Sequence, residues 1–474
     1  MATNELVFKS ARELGSLIKS KQVSPVEVVQ ACLDRVDDLN PKLNTFITIA
    51  KDEALQRARQ AEKEIRGGKY LGVLHGIPYA PKDIFATKGI RTTNGSKVTA
   101  DWIPDYESTV TDRLNKAGAI LIGKLNLSEF ATGSSVLSGF GAVRNPWHTD
   151  YSPAGSSSGS GAALAAHLIP LSTGTDTGGS IRGPAAANGI VGLKPTYGRV
   201  SRYGVTTLSW TLDHAGPMTR TVADNAIMLQ VMAGADQKDS SCKPEPVPDY
   251  SKALTGNIKG LRIGVPSFYF EGVQPEVEKT VRAAIQTLAD IGAIVKEVDL
   301  PHAKYAGTVQ LTVAISEAAA FHEKRLREKA HLLDPVAREY WETANFIPAT
   351  DYIKAMRART LIMQEMADAF TKCDVMAVPA NAGLPNKIEP PETAKSTIKP
   401  GSKSEPIRRG STALGNVTGL PAIVIPCGFS TTQPVFPITI QFYGKPFDEF
   451  TLFRVSHAYE SATDWHKRRP PLQT

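Results

Sequence analysis

The sequence predicts an α/β fold: a single large domain with a central mixed, twisted β-sheet covered by helices on both faces. Three observations predict it. Segments with apolar residues at helical spacing alternate with short continuous apolar runs, such as Ala119-Ile120-Leu121-Ile122-Gly123 and Val375–Val378. Runs of that length and character suit strands buried on both faces. The chain has 474 residues, 42% hydrophobic and 21% charged, enough to bury a large core without disulfide staples. Finally, the serine- and glycine-rich stretch from Tyr151 to Pro184 carries the apolar run Ala162 to Leu171 inside it. Flexible linkers do not alternate with core-forming segments in this way.

Taken in order, residues 10 to 38 read as two amphipathic helices. Ser24-Pro25 begins the second, with Ser as N-cap and Pro at the first helical position. Residues 50 to 65 form a third, mostly polar helix. From Leu71 a short apolar strand pattern is broken by prolines, and Pro81 before Lys82 fixes a non-helical backbone. A helix over 107–117 ends at Gly118, and Ala119–Gly123 reads as one strand. A helix and glycine-rich loop fill Leu127 to Gly141. Strands follow at Ile169 to Thr173 and Gly189 to Leu193, then a helix at Val222 to Ala233. LRIGV, Ala293 to Val298, Val375 to Val378, Ala422 to Pro426 and Val435 to Gly444 complete the strands. Helices are expected at Pro275 to Ile291, 307–330, 350–372 and Thr451 to Thr463. Residues 386–406, rich in Pro, Lys and Ser, read as a mobile loop. The expected organisation is an N-terminal helical segment over 1–70, a catalytic core over 71–220, and 221–474 as the rest of the same domain. Helices at about 305–372 would border a substrate pocket.

Several functional classes are excluded by what is missing. Cys32, Cys242, Cys373 and Cys427 are far apart and form no metal-spaced cluster, so neither a zinc site nor a disulfide framework is expected. The net charge of +7 is scattered, with Arg408-Arg409 and Lys467-Arg468-Arg469 as its densest groups. No zinc finger, RNP motif or aromatic-interleaved basic stripe marks nucleic-acid binding. The first twenty residues lack a signal-peptide apolar region, and no run is apolar enough to span a membrane. A cytoplasmic protein is expected.

Three motifs compete for the glycine-serine stretch. A phosphate loop fails because no Lys follows the glycines. A dinucleotide fingerprint fails because Leu164 stands where the third glycine belongs. Gly155-Ser156-Ser157-Ser158-Gly159 does fit G-x-S-x-G, the nucleophile elbow of α/β-hydrolases. That elbow requires a strand immediately before it, and Asp150-Tyr151-Ser152-Pro153-Ala154 is no strand run. It also requires a downstream acid and His, and nothing marks one beyond candidates such as His457.

The same stretch resembles the amidase signature family. Gly155–Ser160 and Gly174-Thr175-Asp176-Thr177-Gly178-Gly179-Ser180-Ile181-Arg182-Gly183-Pro184 carry the resemblance. Upstream it extends to His75-Gly76-Ile77-Pro78 and Pro81-Lys82-Asp83. Downstream it extends to Gly192-Leu193-Lys194-Pro195-Thr196, Gly419-Leu420-Pro421-Ala422 and the terminal Ala462–His466. The resemblance implies a Ser–cis-Ser–Lys triad with Ser180 as nucleophile, Ser156 as bridging serine and Lys82 as base. A serine hydroxyl needs a proton acceptor to attack, and a buried lysine can be neutral enough to serve. Ser156 would relay the proton, since one hydroxyl both accepts and donates. Thr177, Gly178, Gly179 and Ser180 would aim backbone N–H groups at the developing oxyanion. Asp176, Arg182 and Ser157 would support that turn. No metal or other cofactor is implied.

Ala154 and Ser158 depart from the family's Gly-Gly-Ser-Ser-Gly-Gly pattern, and a positive φ at Ser158 would reshape the loop. Residues 75–220 resemble the family's amidotransferase A-type subunits closely. The C-terminal half shows no clear match to the arginine and aspartate that grip glutamine there. Residues 408–418 are mostly small or apolar, which suits an uncharged acyl or aryl group. The expectation is therefore a stand-alone amidase that hydrolyses small, uncharged, hydrophobic or aryl amides, with carbamates as a further class. Gly133, Ser134, Ser135, Val136, Phe140, Phe321 and Trp341 are the candidate pocket lining, with Tyr340 and Phe346 nearby. The expected partners are an amide substrate and water, without nucleic acid or membrane, and a homodimer is left open. Two alternatives stand beside this: a glutamine-dependent amidotransferase component of the A type working with a partner, and a G-x-S-x-G esterase.

Overall fold

The computed structural model describes residues 3–133, 138–388 and 406–472. Twelve strands are described: β1 (Phe46–Ile49), β2 (Pro78–Pro81), β3 (Ile120–Leu121), β4 (Gly123–Leu125), β5 (Leu171–Asp176), β6 (Val191–Lys194), β7 (His214–Thr219), β8 (Arg262–Pro266), β9 (Ile294–Val298), β10 (Val375–Pro379), β11 (Ala422–Phe429) and β12 (Pro437–Gly444). Ten of them form one sheet in the order β3-β2-β5-β7-β6-β11-β12-β10-β8-β9. Strand β2 runs parallel to β3 and β5, and β8 runs parallel to β9 and β10. The middle of the sheet, from β5 through β7, β6, β11 and β12 to β10, is antiparallel. This is the mixed α/β sheet expected, with helices on both faces.

The apolar runs fill the sheet as their composition demands. Strands β2, β5, β6, β7, β10 and β12 are buried at every position. The expected helix starts are realised by their caps. Ser24 accepts from the Val26 amide ahead of the helix Pro25–Leu43, and Pro25 takes the first turn. Gly118, at φ +87°, ends the helix Thr109–Lys116 where a side chain would strike the His75 ring.

Three local readings differ from the structure. The run Ala119–Gly123 is not one strand: Ile120–Leu121 joins β2, while Gly123–Leu125 pairs with β1 in a separate two-stranded sheet. The helix expected after Leu127 is a single 3-10 turn, Glu129–Ala131, because Phe130 and Ala131 both take positive φ. Strand β7 and the helix Pro406–Thr418 lie where neither element is expected from the sequence. Of the loop expected at 386–406, residues 389–405 lie outside the described residues.

Candidate active site

Strand β2 ends at Pro81, so Lys82 follows the end of a strand paired on both sides and is fully buried. Its Nζ reaches Ser156 Oγ at 2.7 Å and Thr175 Oγ1 at 2.8 Å. Thr175 lies on β5, beside β2, so that contact follows from strand adjacency, whereas Ser156 is brought in by the loop ahead of the helix Ser158–Ala165. Burial pulls the Lys82 ammonium down to about 7, with Asp176 and Asp213 pulling the other way. A lysine with that value is neutral for much of its time near neutral pH and can accept a proton.

Next to it, Asp83 is held by the amide and hydroxyl of Thr93, at 2.7 and 2.6 Å, and by Lys124 Nζ at 3.1 Å. Lys124 also donates to the Phe85 carbonyl and Thr92 Oγ1. All of these groups are buried. They fix the backbone from which Lys82 projects.

Ser156 follows a cis peptide after Gly155 and is fully buried. The helix Ser158–Ala165 starts directly behind it. Ala154, not Ser158, takes the left-handed conformation in this loop, at φ +58°. Ser157 Oγ donates to the Thr175 carbonyl at 3.3 Å, and no strand precedes it. The nucleophile elbow therefore lacks its structural context here. Ser157 instead ties the serine loop to β5, and its amide donates to the Ser180 carbonyl at 3.2 Å.

Strand β5 ends at Asp176, and the turn Thr177-Gly178-Gly179-Ser180 runs into the helix Arg182–Asn188. Asp176 organises the turn. Its Oδ1 accepts from the Gly179 amide at 2.8 Å and its Oδ2 from the Ile181 amide at 3.1 Å. Arg182 binds both oxygens, Nη2 to Oδ1 at 2.9 Å and Nε to Oδ2 at 3.0 Å. Burial alone would raise the Asp176 carboxyl, but the charge and hydrogen bonds of Arg182, with Lys194 and Asn416, hold it below the usual range. Thr177 Oγ1 donates to Asp213 at 2.5 Å. The N–H of Gly179, one of the four residues expected to face an oxyanion, is thus committed to Asp176. Ser180 is partly exposed, whereas Ser156 and Lys82 have no exposed surface.

The residues expected to line a pocket are dispersed. Ser134, Ser135 and Val136 lie outside the described residues, and Gly133 is exposed with φ +79°. Lys97 Nζ sits 4.3 Å from the centroid of the Phe140 ring. Trp341 has no exposed surface, because its ring stacks on His322 at 4.2 Å in a small core with Phe130. As placed it offers nothing to a ligand. Phe321, on the same helix as His322, is 45% exposed. Two side chains that local reading missed do touch the Ser180 turn: Gln310 Nε2 meets the Thr177 carbonyl at 3.2 Å and Thr412 Oγ1 the Gly178 carbonyl at 2.9 Å. No local signal marks them, since they come from distant helices. Among the described residues no group of three or more His, Cys, Asp or Glu is arranged to hold a metal ion. No described helix is long and apolar enough to cross a membrane.

Comparison with known proteins bears directly on this site. A family model described as Amidase matches residues 27–453. The A-type subunit of the glutamyl-tRNA(Gln) amidotransferase of Geotalea daltonii is 43% identical over 500 aligned positions, covering 99% of this chain and all of that protein. The protein of the same name from Geobacillus kaustophilus is 42% identical, covering 98% of this chain and 99% of its own. The crystal structure of the corresponding protein from Thermotoga maritima superposes with a TM-score of 0.79 at 30% identity, over 96% of this chain and 95% of that one. These findings overturn the expectation of a stand-alone amidase for uncharged hydrophobic or aryl amides, with carbamates beside them. They also overturn the expectation that substrate and water are the only partners, with no nucleic acid, since the relatives are components of an assembly named for a tRNA. The C-terminal half lacks long motifs, yet similarity to the same relatives runs through it. Both the serine-rich core and the remainder place the chain in one family: it belongs to the amidase signature family.

Proposed function

We propose that this chain is the A-type component of a glutamine-dependent amidotransferase that acts on glutamyl-tRNA(Gln) together with partner subunits. The observation that carries this is 43% identity to such a component over the whole of its length. The catalytic core is residues 71–220, and a cytoplasmic location goes with this activity.

In this reading Ser180 Oγ attacks the side-chain amide carbon of glutamine. Its proton passes to Ser156, which gives its own to Lys82, held 2.7 Å away. The tetrahedral oxyanion is met by backbone N–H groups of the turn, with Thr177, Gly178 and Ser180 as the candidate donors left by Asp176's hold on Gly179. Lys82 returns the proton through Ser156 to the leaving nitrogen, and ammonia departs. Water then frees glutamate from Ser180. The ammonia is passed to the partner, where a nucleoside triphosphate first phosphorylates the side-chain carboxylate of the tRNA-bound glutamyl group, releasing the diphosphate, and ammonia then displaces the phosphate to leave an amide.

The test is to purify the tagged chain from its own host and assay glutaminyl-tRNA(Gln) formation. The expected result is a stable partner and glutamine-dependent transamidation. Ser180→Ala should abolish activity with glutamine but leave activity with added ammonium, which bypasses the serine. A chain that purifies alone, turns over amides at full rate and never supports transamidation would overturn the proposal.

A further inference from the structure

The first three peptide planes of the turn are each held by a side chain from outside the serine-rich core, while the Gly179 carbonyl accepts from the Gly183 amide at 2.6 Å. The Asp176 carbonyl accepts from Asn416 Nδ2 at 2.8 Å. The Thr177 carbonyl accepts from Gln310 Nε2 at 3.2 Å. The Gly178 carbonyl accepts from Thr412 Oγ1 at 2.9 Å. Gln310 lies on the helix Ala306–Lys329, and Thr412 and Asn416 lie on the helix Pro406–Thr418.

A trans peptide carries its C=O and N–H on opposite sides. Fixing a carbonyl therefore fixes the direction of the following N–H. Gln310 sets the Gly178 N–H, Asn416 sets the Thr177 N–H, and Thr412 sets the Gly179 N–H that Asp176 receives. The approach is close enough to dictate sequence. A Cβ on Gly178 would lie 2.7 Å from Gln310 Nε2, and one on Gly179 would lie 2.8 Å from Thr412. Gly179 also sits at φ +127°, which a side chain rarely adopts. The double glycine is thus the surface against which two helices press their polar side chains.

We infer that Gln310 and Thr412 are positioning residues for the oxyanion site, Gln310 by aiming the Gly178 amide and Thr412 by fixing the Gly178–Gly179 plane that Asp176 anchors, from two helices that carry none of the triad. Neither touches Lys82 or Ser156, so their effect is confined to transition-state charge and leaves the proton relay alone. The inference rests on Ser180 being the nucleophile.

A fluorophosphonate probe tests it without depending on the natural substrate. Ser180 Oγ forms a bond to phosphorus, the P–F bond breaks, fluoride leaves, and the hydroxyl proton passes through Ser156 to Lys82. The phosphoryl oxygen gains charge where an amide oxyanion would. With the full chain, in its complex if one is isolated, the labelling rate of Ser180 should fall about 10-fold in Gln310→Ala and Thr412→Val, less than the roughly 100- to 1,000-fold that losing an oxyanion donor outright costs. Thr412→Ser, which keeps the hydroxyl, should restore it. The unfolding midpoint and the midpoint of the pH–rate profile should stay at their wild-type values, which a structural role or an effect through Lys82 would not allow. If Gln310→Ala lowers the unfolding midpoint, the near-isosteric Gln310→Glu decides, since its carboxylate cannot donate to the Thr177 carbonyl. Wild-type labelling rates in Gln310→Glu and Thr412→Val would overturn the inference. Failure of the wild-type chain to label at Ser180 would instead remove the nucleophile assignment, and the inference with it.

Discussion

Asp176 and Arg182 flank the Ser180 turn and close it with a fully buried two-point pair, Nη2 to Oδ1 at 2.9 Å and Nε to Oδ2 at 3.0 Å. Arg182 continues to Gln441 Oε1 at 3.0 Å and Asn416 Oδ1 at 2.7 Å. The Ser180 turn is therefore bolted to β12 and to the helix Pro406–Thr418 through one guanidinium. Removing one member strands the other's charge in the core, which costs about 3–5 kcal/mol. Asp176→Asn should lose about that much stability in a denaturant titration. The double variant Asp176→Asn/Arg182→Met should lose less than the sum of the single losses, because the stranded charge is gone.

The activity of Ser180 should follow the protonation of Lys82. Only neutral Lys82 can take the proton relayed by Ser156, and its ammonium titrates at about 7. The rate of Ser180 acylation should fall about tenfold per pH unit well below 7 and level off above it. Replacing Thr175 by Val removes one hydrogen bond from Lys82 Nζ. A pH–rate profile whose midpoint does not move in Thr175→Val would show that this contact does not tune the base.

The residues proposed as the triad stand out in the sequence because they sit in local, chemically peculiar runs: Pro81-Lys82-Asp83, the serine loop and the Thr-Gly-Gly-Ser turn. What aims the turn was not legible. Gln310 is 133 residues from Thr177, and Thr412 is 234 from Gly178. Each is an ordinary polar residue on a helix, with nothing in its neighbours to set it apart. Strand β7 was missed for a different reason. His214–Thr219 contains Gly216 and Pro217, poor strand formers, and it is held extended by β5 and β6 on either side. The apolar run at Ala119–Gly123 reads as one strand because periodicity cannot see that its two halves pair with different sheets. Trp341 looks like a pocket wall in the sequence because a large aromatic fits either role. Its stacking partner His322 decides it for the core.

Two alanine–glycine exchanges in the serine loop should act in opposite directions. Ala154 holds φ +58°, where a side chain costs about 1–2 kcal/mol. Ala154→Gly relieves that, offset by about 0.5–1 kcal/mol of extra unfolded-state freedom, for a net gain of up to about 1.5 kcal/mol. Gly159 is different. A Cβ there would lie 2.5 Å from the Asn126 carbonyl oxygen and 2.6 Å from that of Thr45. Both are backbone atoms that cannot swing aside, so Gly159→Ala should destabilise by about 1–3 kcal/mol or more. Urea midpoints of the two variants, moving apart from wild type, check both.

Stability should also show that Lys82 is kept for chemistry. A fully buried amine pulled down to about 7 binds its proton less readily in the folded chain than in the unfolded one, where lysine titrates near 10.5. Between those values the unfolded chain carries more protons, so this group makes stability rise with pH across the window. At pH 7 and below, the folded chain bears the full cost of a buried, protonated Lys82. Lys82→Met keeps the length and removes the charge. It should abolish labelling of Ser180 and yet raise the unfolding midpoint at pH 6 to 7. The gain should shrink as pH climbs towards 10. A variant less stable than wild type at pH 6 would mean that the ammonium's contacts with Ser156 and Thr175 outweigh the cost of burying it.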